Sequence, residues 1–147
     1  MSGMLDSVGL DRLRVWKPGP ISDWSGAAFV SVTDFQIYSW RDVPSAWLEG
    51  IRLRRVWSSL EGAVGLWLWV LPWARRSGSV SVWRSEEDLH KFVGWERHVE
   101  TMRRFRGAGH LTSASWSVSS FERSQVWKDA ARKLAGFEPG SATAEMG

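Results

Sequence analysis

Gly78-Ser79-Val80-Ser81-Val82-Trp83-Arg84-Ser85-Glu86-Glu87-Asp88-Leu89, continuing to His98 and Met102, is the stretch that decides the fold. Ser79 to Arg84 alternates as a strand does and carries a Trp near its end. Ser85 is placed to cap the helix that follows. Asp88, three residues on, makes a near capping box, and Glu86 and Glu87 suit the positive end of the helix dipole. The amphipathic spacing predicts a helix from Glu86 to about Arg106, stopped by Gly107 and Gly109.

Working outward, Ala27 to Ile37 alternates as a first strand. Phe29, Ser31, Thr33, Phe35 and Ile37 share one face, and Val30, Val32, Asp34 and Gln36 the other. Pro44, beside Ser45, opens a helix to about Leu60 that Gly50 weakens. Gly62 and Gly65 begin a second strand, Ala63 to Trp73. It is apolar on both faces, so both faces are expected to be covered. Leu66, Leu68 and Val70 point one way, and Trp67, Trp69 and Leu71 the other.

Arg75 to Gly78 reads as the hairpin into Ser79–Arg84. Leu111 to Val118 is a fourth strand, and Glu122 to Leu134 a last helix ended by Gly136. The order β-α-β-β-α-β with an added C-terminal helix predicts an α+β, ferredoxin-like domain over 26–136. Residues 1–25, punctuated by Pro18, Gly19 and Pro20, read as an irregular N-terminal extension. Trp16 and Trp24 are expected to pack back on the domain. The tail, 137–147, reads as flexible.

The chain's 147 residues suit one domain with a core of its own. There is no Cys, which removes disulfides, thiolate metal sites and Cys nucleophiles. No apolar run reaches a membrane span and no secretory h-region is visible, so a cytoplasmic protein is expected. The net charge of +3 is modest. Glu61, Glu86, Glu87, Glu96 and Glu100 interrupt the Arg clusters at 52–55 and 103–106, which argues against nucleic acid. Twelve Trp are the compositional outlier. Some belong in the core; others suit an aromatic wall for a flat or polyenic ligand.

Read by angle as one continuous helix, Phe92, Trp95, Val99 and Met102 form an apolar face with His98 at its border. His90 falls on the solvent side, and His110 sits in the Gly-rich turn before the fourth strand. His98 is therefore the one imidazole placed to look into a pocket. A border His also serves as an ordinary structural residue.

The run Val80-Ser81-Val82-Trp83-Arg84-Ser85-Glu86-Glu87, then Phe92, then His98-Val99-Glu100-Thr101-Met102, resembles the dimeric α/β-barrel superfamily. It is most similar to its antibiotic biosynthesis monooxygenase-type and monooxygenase-like members. The resemblance covers about residues 27–118. It implies a homodimer whose two sheets pack into one barrel, with each site between a sheet and its own helices. The second strand, apolar on both faces, fits that arrangement.

Members of the superfamily include cofactor-independent oxygenases, heme-degrading enzymes, and cyclases or isomerases, so fold alone does not fix function. The heme-degrading branch places an axial His where this chain has Met102, a Trp where it has Phe92, and an Asn near Thr33. All three differ, which argues against heme degradation of that form and leaves open a heme bound through His98.

No metal-ligand spacing, Gly-x-Ser-x-Gly elbow, phosphate loop or dinucleotide fingerprint is present. What remains is a site of indoles, one imidazole and a few hydroxyl or amide groups. The expected activity is a cofactor-independent monooxygenase on a hydrophobic aromatic or polyketide-like natural product. In this reading His98 is the catalytic base, and Thr33, Phe35, Trp67, Trp69, Trp95 and Met102 bind substrate. A cyclase or isomerase, a heme protein and a non-catalytic ligand-binding barrel are the alternatives. A non-catalytic barrel whose Trp set only packs and docks a partner would show a filled core with no cavity large enough for a ligand.

Overall fold

The computed structural model describes residues 14–137. The elements are β1 (Arg14–Pro18), β2 (Ala28–Ile37), α1 (Val43–Val56), β3 (Ala63–Leu71) and β4 (Arg76–Trp83). They continue with α2 (Glu86–Val93), α3 (Glu96–Phe105), β5 (Gly109–Val118) and α4 (Arg123–Gly136). The strands form one antiparallel sheet in the order β1-β3-β4-β2-β5. Strands β2 to β5 with the intervening helices are the expected split β-α-β unit, so the α+β, ferredoxin-like reading holds.

Three local expectations need correction. The first concerns residues 14–18, assigned to an irregular extension. They form a fifth strand that pairs with β3, Trp16 opposite Trp67. Gly65 permits it, because a Cβ there would lie 1.8 Å from the Trp16 ring. Residues 1–13 of the extension, and 138–147 of the expected tail, lie outside the described residues.

Second, the long helix expected from Glu86 to Arg106 is two helices. Gly94 closes α2, its N–H bonding to His90 O at 3.1 Å, and Trp95 then turns to extended backbone (φ −66°, ψ 132°). Val99 N–H bonds to Trp95 O at 3.0 Å and starts α3 on a new axis. A glycine inside a helix costs roughly 1 kcal/mol relative to alanine, and the chain bends there. Third, β4 begins at Arg76 rather than Ser79. The turn before it is a 3-10 segment, Pro72–Ala74, closed by Arg75 in the left-handed region (φ 53°). Trp73 falls in this turn and is exposed.

The sheet is covered on both faces by its own chain. One face carries Val30, Val32, Trp67, Trp69, Val80 and Val82. Helix α4 lays Val126, Trp127, Ala130 and Leu134 on it, and none of these ten residues is more than 5 % exposed. Their spacing along α4 is the apolar stripe of a helix lying on a sheet. Trp67 sits between Trp16 and Trp127, at centroid distances of 4.5 and 5.4 Å. The cover that the apolar β3 requires on this side, expected from a partner's sheet, is thus supplied by α4 and β1. The opposite face looks toward α1, α2 and α3, and it holds the candidate site.

Candidate functional site

A cavity of about 960 Å³ lies between the second sheet face and the three helices. Strand alternation builds its floor. In β2 the residues that face away from α4 are Phe29, Ser31, Thr33 and Phe35, and all four line the cavity. Leu66 and Leu68 of β3, Ser79 and Ser81 of β4, and Ser113 and Ser115 of β5 extend that floor. The roof includes Trp47 and Leu53 from α1, Trp57 from the turn after it, Phe92 from α2, and His98 and Met102 from α3. At one end an aromatic cluster closes it: Trp57 meets Trp83 edge-on at 5.0 Å, and Phe92 packs on Trp83 at 5.2 Å.

Of the residues singled out in the sequence, Thr33, Phe35, His98 and Met102 lie on this wall. Trp67 and Trp69 do not. Alternation along β3 turns them to the α4 face, where both are buried. Trp95 also lies outside the wall, because the break after Gly94 makes it the N-cap of α3 rather than a residue of a continuous apolar stripe. The indoles that do reach the cavity are Trp47 and Trp57. The helical spacing of Trp47 carried that signal. The serine alternation of β4 carried the signal for a hydroxyl floor.

His98 sits against Phe92, ring centroids 4.5 Å apart, with Nδ1 3.3 Å from the carbonyl oxygen of Val93. A carbonyl only accepts, so Nδ1 carries the hydrogen of the neutral ring and Nε2 presents a lone pair. Nε2 has no hydrogen-bond partner among the described residues. Burial pushes the imidazole below its ordinary pKa, and the Val93 carbonyl only partly opposes this. The ring is therefore neutral at pH 7, with a free basic nitrogen beside the cavity.

Glu49 holds the roof together. It accepts from Arg52 Nη1 at 2.7 Å and from Thr101 Oγ1 at 3.3 Å, and it pairs with Arg104 of α3. Burial raises its pKa, but Arg104, Arg52 and Thr101 together outweigh burial and hold the carboxyl below its usual range. Helix α1 is thereby tied to α3 over the cavity. The described residues contain no group of three or more His, Cys, Asp or Glu arranged to hold a metal ion. No described helix is long and apolar enough to cross a membrane.

No protein-family model matches the chain, and no curated protein does. Solved structures do. SnoaB of Streptomyces nogalater, described as a cofactor-independent oxygenase, superposes with a TM-score of 0.52 at 10% identity. The match covers 65% of this chain and 97% of SnoaB. A putative monooxygenase of Lactobacillus acidophilus superposes with a TM-score of 0.54 at 7% identity, over 73% of this chain and 49% of its own. LmHde, a heme-degrading enzyme of Listeria monocytogenes, is a looser likeness: TM-score 0.46, 18% identity, 57% of this chain and 59% of that one. This chain shares the fold of SnoaB and of the Lactobacillus acidophilus protein.

Proposed function

We propose that this protein is a cofactor-independent monooxygenase acting on a hydrophobic aromatic or polyketide-like molecule, with His98 as the general base. One observation carries the reading: a neutral imidazole, its Nδ1 pinned by Val93, leaves Nε2 free on the wall of an open cavity with an aromatic roof. The chamber falls within the range of small-molecule sites.

In this reading Nε2 removes a proton from an acidic carbon or phenol of the bound substrate. The resulting anion gives one electron to dioxygen, and the radical pair joins as a peroxide. Loss of water leaves a carbonyl where a CH₂ stood. One oxygen atom enters the product and the other leaves in water, so the substrate supplies every electron. The protein binds, deprotonates and excludes water. Phe35, Phe92 and Met102 supply apolar contact, and Thr33 a hydroxyl to orient an oxygen of the substrate.

The test is oxygen uptake with candidate phenolic and enolic substrates. Uptake with one oxygen atom incorporated supports the reading. Product formed without uptake would instead select a cyclase or isomerase that uses the same base.

The free Nε2 also favours a second reading. His98 and Arg106 both line the cavity, so they would hold a heme through an imidazole nitrogen for the iron and a guanidinium for a propionate. When bound, heme would supply redox iron chemistry. At the position of the axial His in the heme-degrading branch this chain offers the thioether of Met102, a poorer donor. Hemin titration separates the two readings: a Soret band lost in His98→Ala supports heme. Helix α4 packs on the sheet face that a partner's sheet was expected to meet, so in this reading a homodimer would meet through another surface.

A further inference from the structure

We propose that the cavity floor is a neutral hydrogen-bonding grid that selects ligands by the oxygen atoms on the side they turn to the sheet. The proposal rests on the reading of this cavity as a ligand site. Strand register aligns six hydroxyls in two rows across β4, β2 and β5. Ser81, Ser31 and Ser115 form one row; Ser79, Thr33 and Ser113 form the next. All six line the cavity. Neighbours within a row are about 4.8 Å apart between strands, and the two rows about 7 Å apart along them.

The opposite side of the same strands carries no such hydroxyls beside them. There the alternate residues are Val80, Val82, Val30, Val32, Ala114 and Trp116, all apolar and packed under α4. A floor that only had to meet an apolar roof would bury more favourable surface with residues of that kind.

Three of the six hydroxyls are engaged within the sheet. Thr33 and Ser79 share a hydrogen bond of 2.9 Å, and Ser81 donates to Ser31 O at 3.4 Å. The hydroxyls of Ser31 and Ser113, half-buried, and of Ser115, exposed on the edge strand β5, have no partner among the described residues. They form a triangle across β2 and β5.

A second observation comes from the roof. Trp57 is fully buried and lines the same cavity; like those of Trp69 and Trp83, which do not line it, its Nε1–H has no acceptor among the described residues. Each free hydroxyl can donate or accept, and none carries charge. The floor thus suits neutral hydroxyl and carbonyl groups, while carboxylates and phosphates gain no ionic partner from it. Ser31, Ser113 and Ser115 are specificity-determining residues in this arrangement, and His98 remains the base.

Quenching of Trp fluorescence measures binding of two flat three-ring probes, 1,4-dihydroxyanthraquinone and anthracene. The wild type is expected to bind the oxygenated probe more tightly. The triple variant S31A/S113A/S115A is expected to lose on the order of tenfold to a hundredfold in affinity for it, with anthracene unchanged. Anthracene binding also reports that the variant's cavity is folded. Ser113→Thr, which keeps a hydroxyl, is expected to retain the preference. Equal binding of both probes to the wild type, or an undiminished preference in the triple variant, overturns the grid and leaves the cavity reading standing. Binding of neither probe overturns both.

Discussion

The imidazole of His98 faces the carbonyl of Val93, Nδ1 to oxygen 3.3 Å, across the bend between α2 and α3. That contact fixes the tautomer, and burial drives the pKa below its ordinary value of about 6.5. A base of this kind works when deprotonated. Activity is therefore expected to rise with pH through an inflection below ~6.5 and to level off above it. His98→Ala is expected to lower kcat/KM by at least ~100-fold, and the acidic inflection should vanish with it. A profile with the same inflection in the variant would assign the ionisation to another group.

The same shift has a sign for stability. The unfolded chain binds the His98 proton more readily than the folded one, so between the two pKa values stability rises with pH. The contribution is complete above ~6.5 and is lost as pH falls through the folded pKa. The measurement is the denaturation midpoint against pH. The downward slope on the acid side should flatten in His98→Gln, and a slope unchanged in that variant would contradict the assignment.

Much of the fold is legible in the sequence because it is written in alternation and caps. Ser85 receives the backbone N–H of Asp88 at 3.2 Å, as the capping pattern requires. The two faces of β2 divide as its odd and even residues do. Short-range signals fail where a long-range partner decides. Arg14–Pro18 is a strand only because β3 offers it an edge, and five residues with two exposed positions carry no period of their own. Trp95 leaves the expected stripe because a 100° rule assumes an unbroken axis, and Gly94 breaks it. Trp67 and Trp69 were correctly set on one face of β3, but nothing local says which face meets which helices. Only the placement of α4 does.

Helix α4 is the main cover of the face that a partner sheet was expected to fill. Trp127→Ala removes a side chain that is 5 % exposed and packed at a tilt against Trp67, ring centroids 5.4 Å apart. Its cost is expected to be about 3–5 kcal/mol in the unfolding free energy, measured by urea denaturation. Because the covered valines and indoles are buried within one chain, the face needs no partner, and light scattering is expected to give the same mass for the wild type and for Trp127→Ala. A dimer that survives dilution, yet dissociates on Trp127→Ala, would show that this face also meets a partner.

Asp34 and Arg76 form a buried ion pair on the α4 side of the sheet, with Arg76 Nε 3.1 Å from Asp34 Oδ1. Burial raises the carboxyl pKa, and Arg76 only partly offsets it, so the charged pair is not a source of much net stability. Breaking it is another matter. Arg76→Met strands a buried carboxylate and is expected to cost about 3–5 kcal/mol at pH 7. Asp34→Asn with Arg76→Met should recover a large part of that. Single and double variants with equal loss would mean that packing, not charge, dominates the site.

Gly62 holds the junction that places α2 over the cavity. Its φ is +80°, and a Cβ there would lie 2.3 Å from Asp88 Cγ. Asp88 is buried, and its carboxylate accepts Arg84 Nε at 3.0 Å, Arg84 Nη2 at 3.1 Å and Ser85 Oγ at 2.9 Å. Gly62 O in turn receives the Arg84 N–H at 2.8 Å. Gly62→Ala therefore meets two penalties at once. The left-handed backbone costs roughly 1–2 kcal/mol for a residue with a Cβ, and the carboxylate must move off its donors, which costs about 1–3 kcal/mol more. A total loss of about 2–5 kcal/mol is expected. Gly62→Ala in an Asp88→Ala background separates the two, because the clash is then gone and only the backbone penalty should remain. If the substitution costs as much in that background as in the wild type, the contact with Asp88 does not set the geometry of the junction.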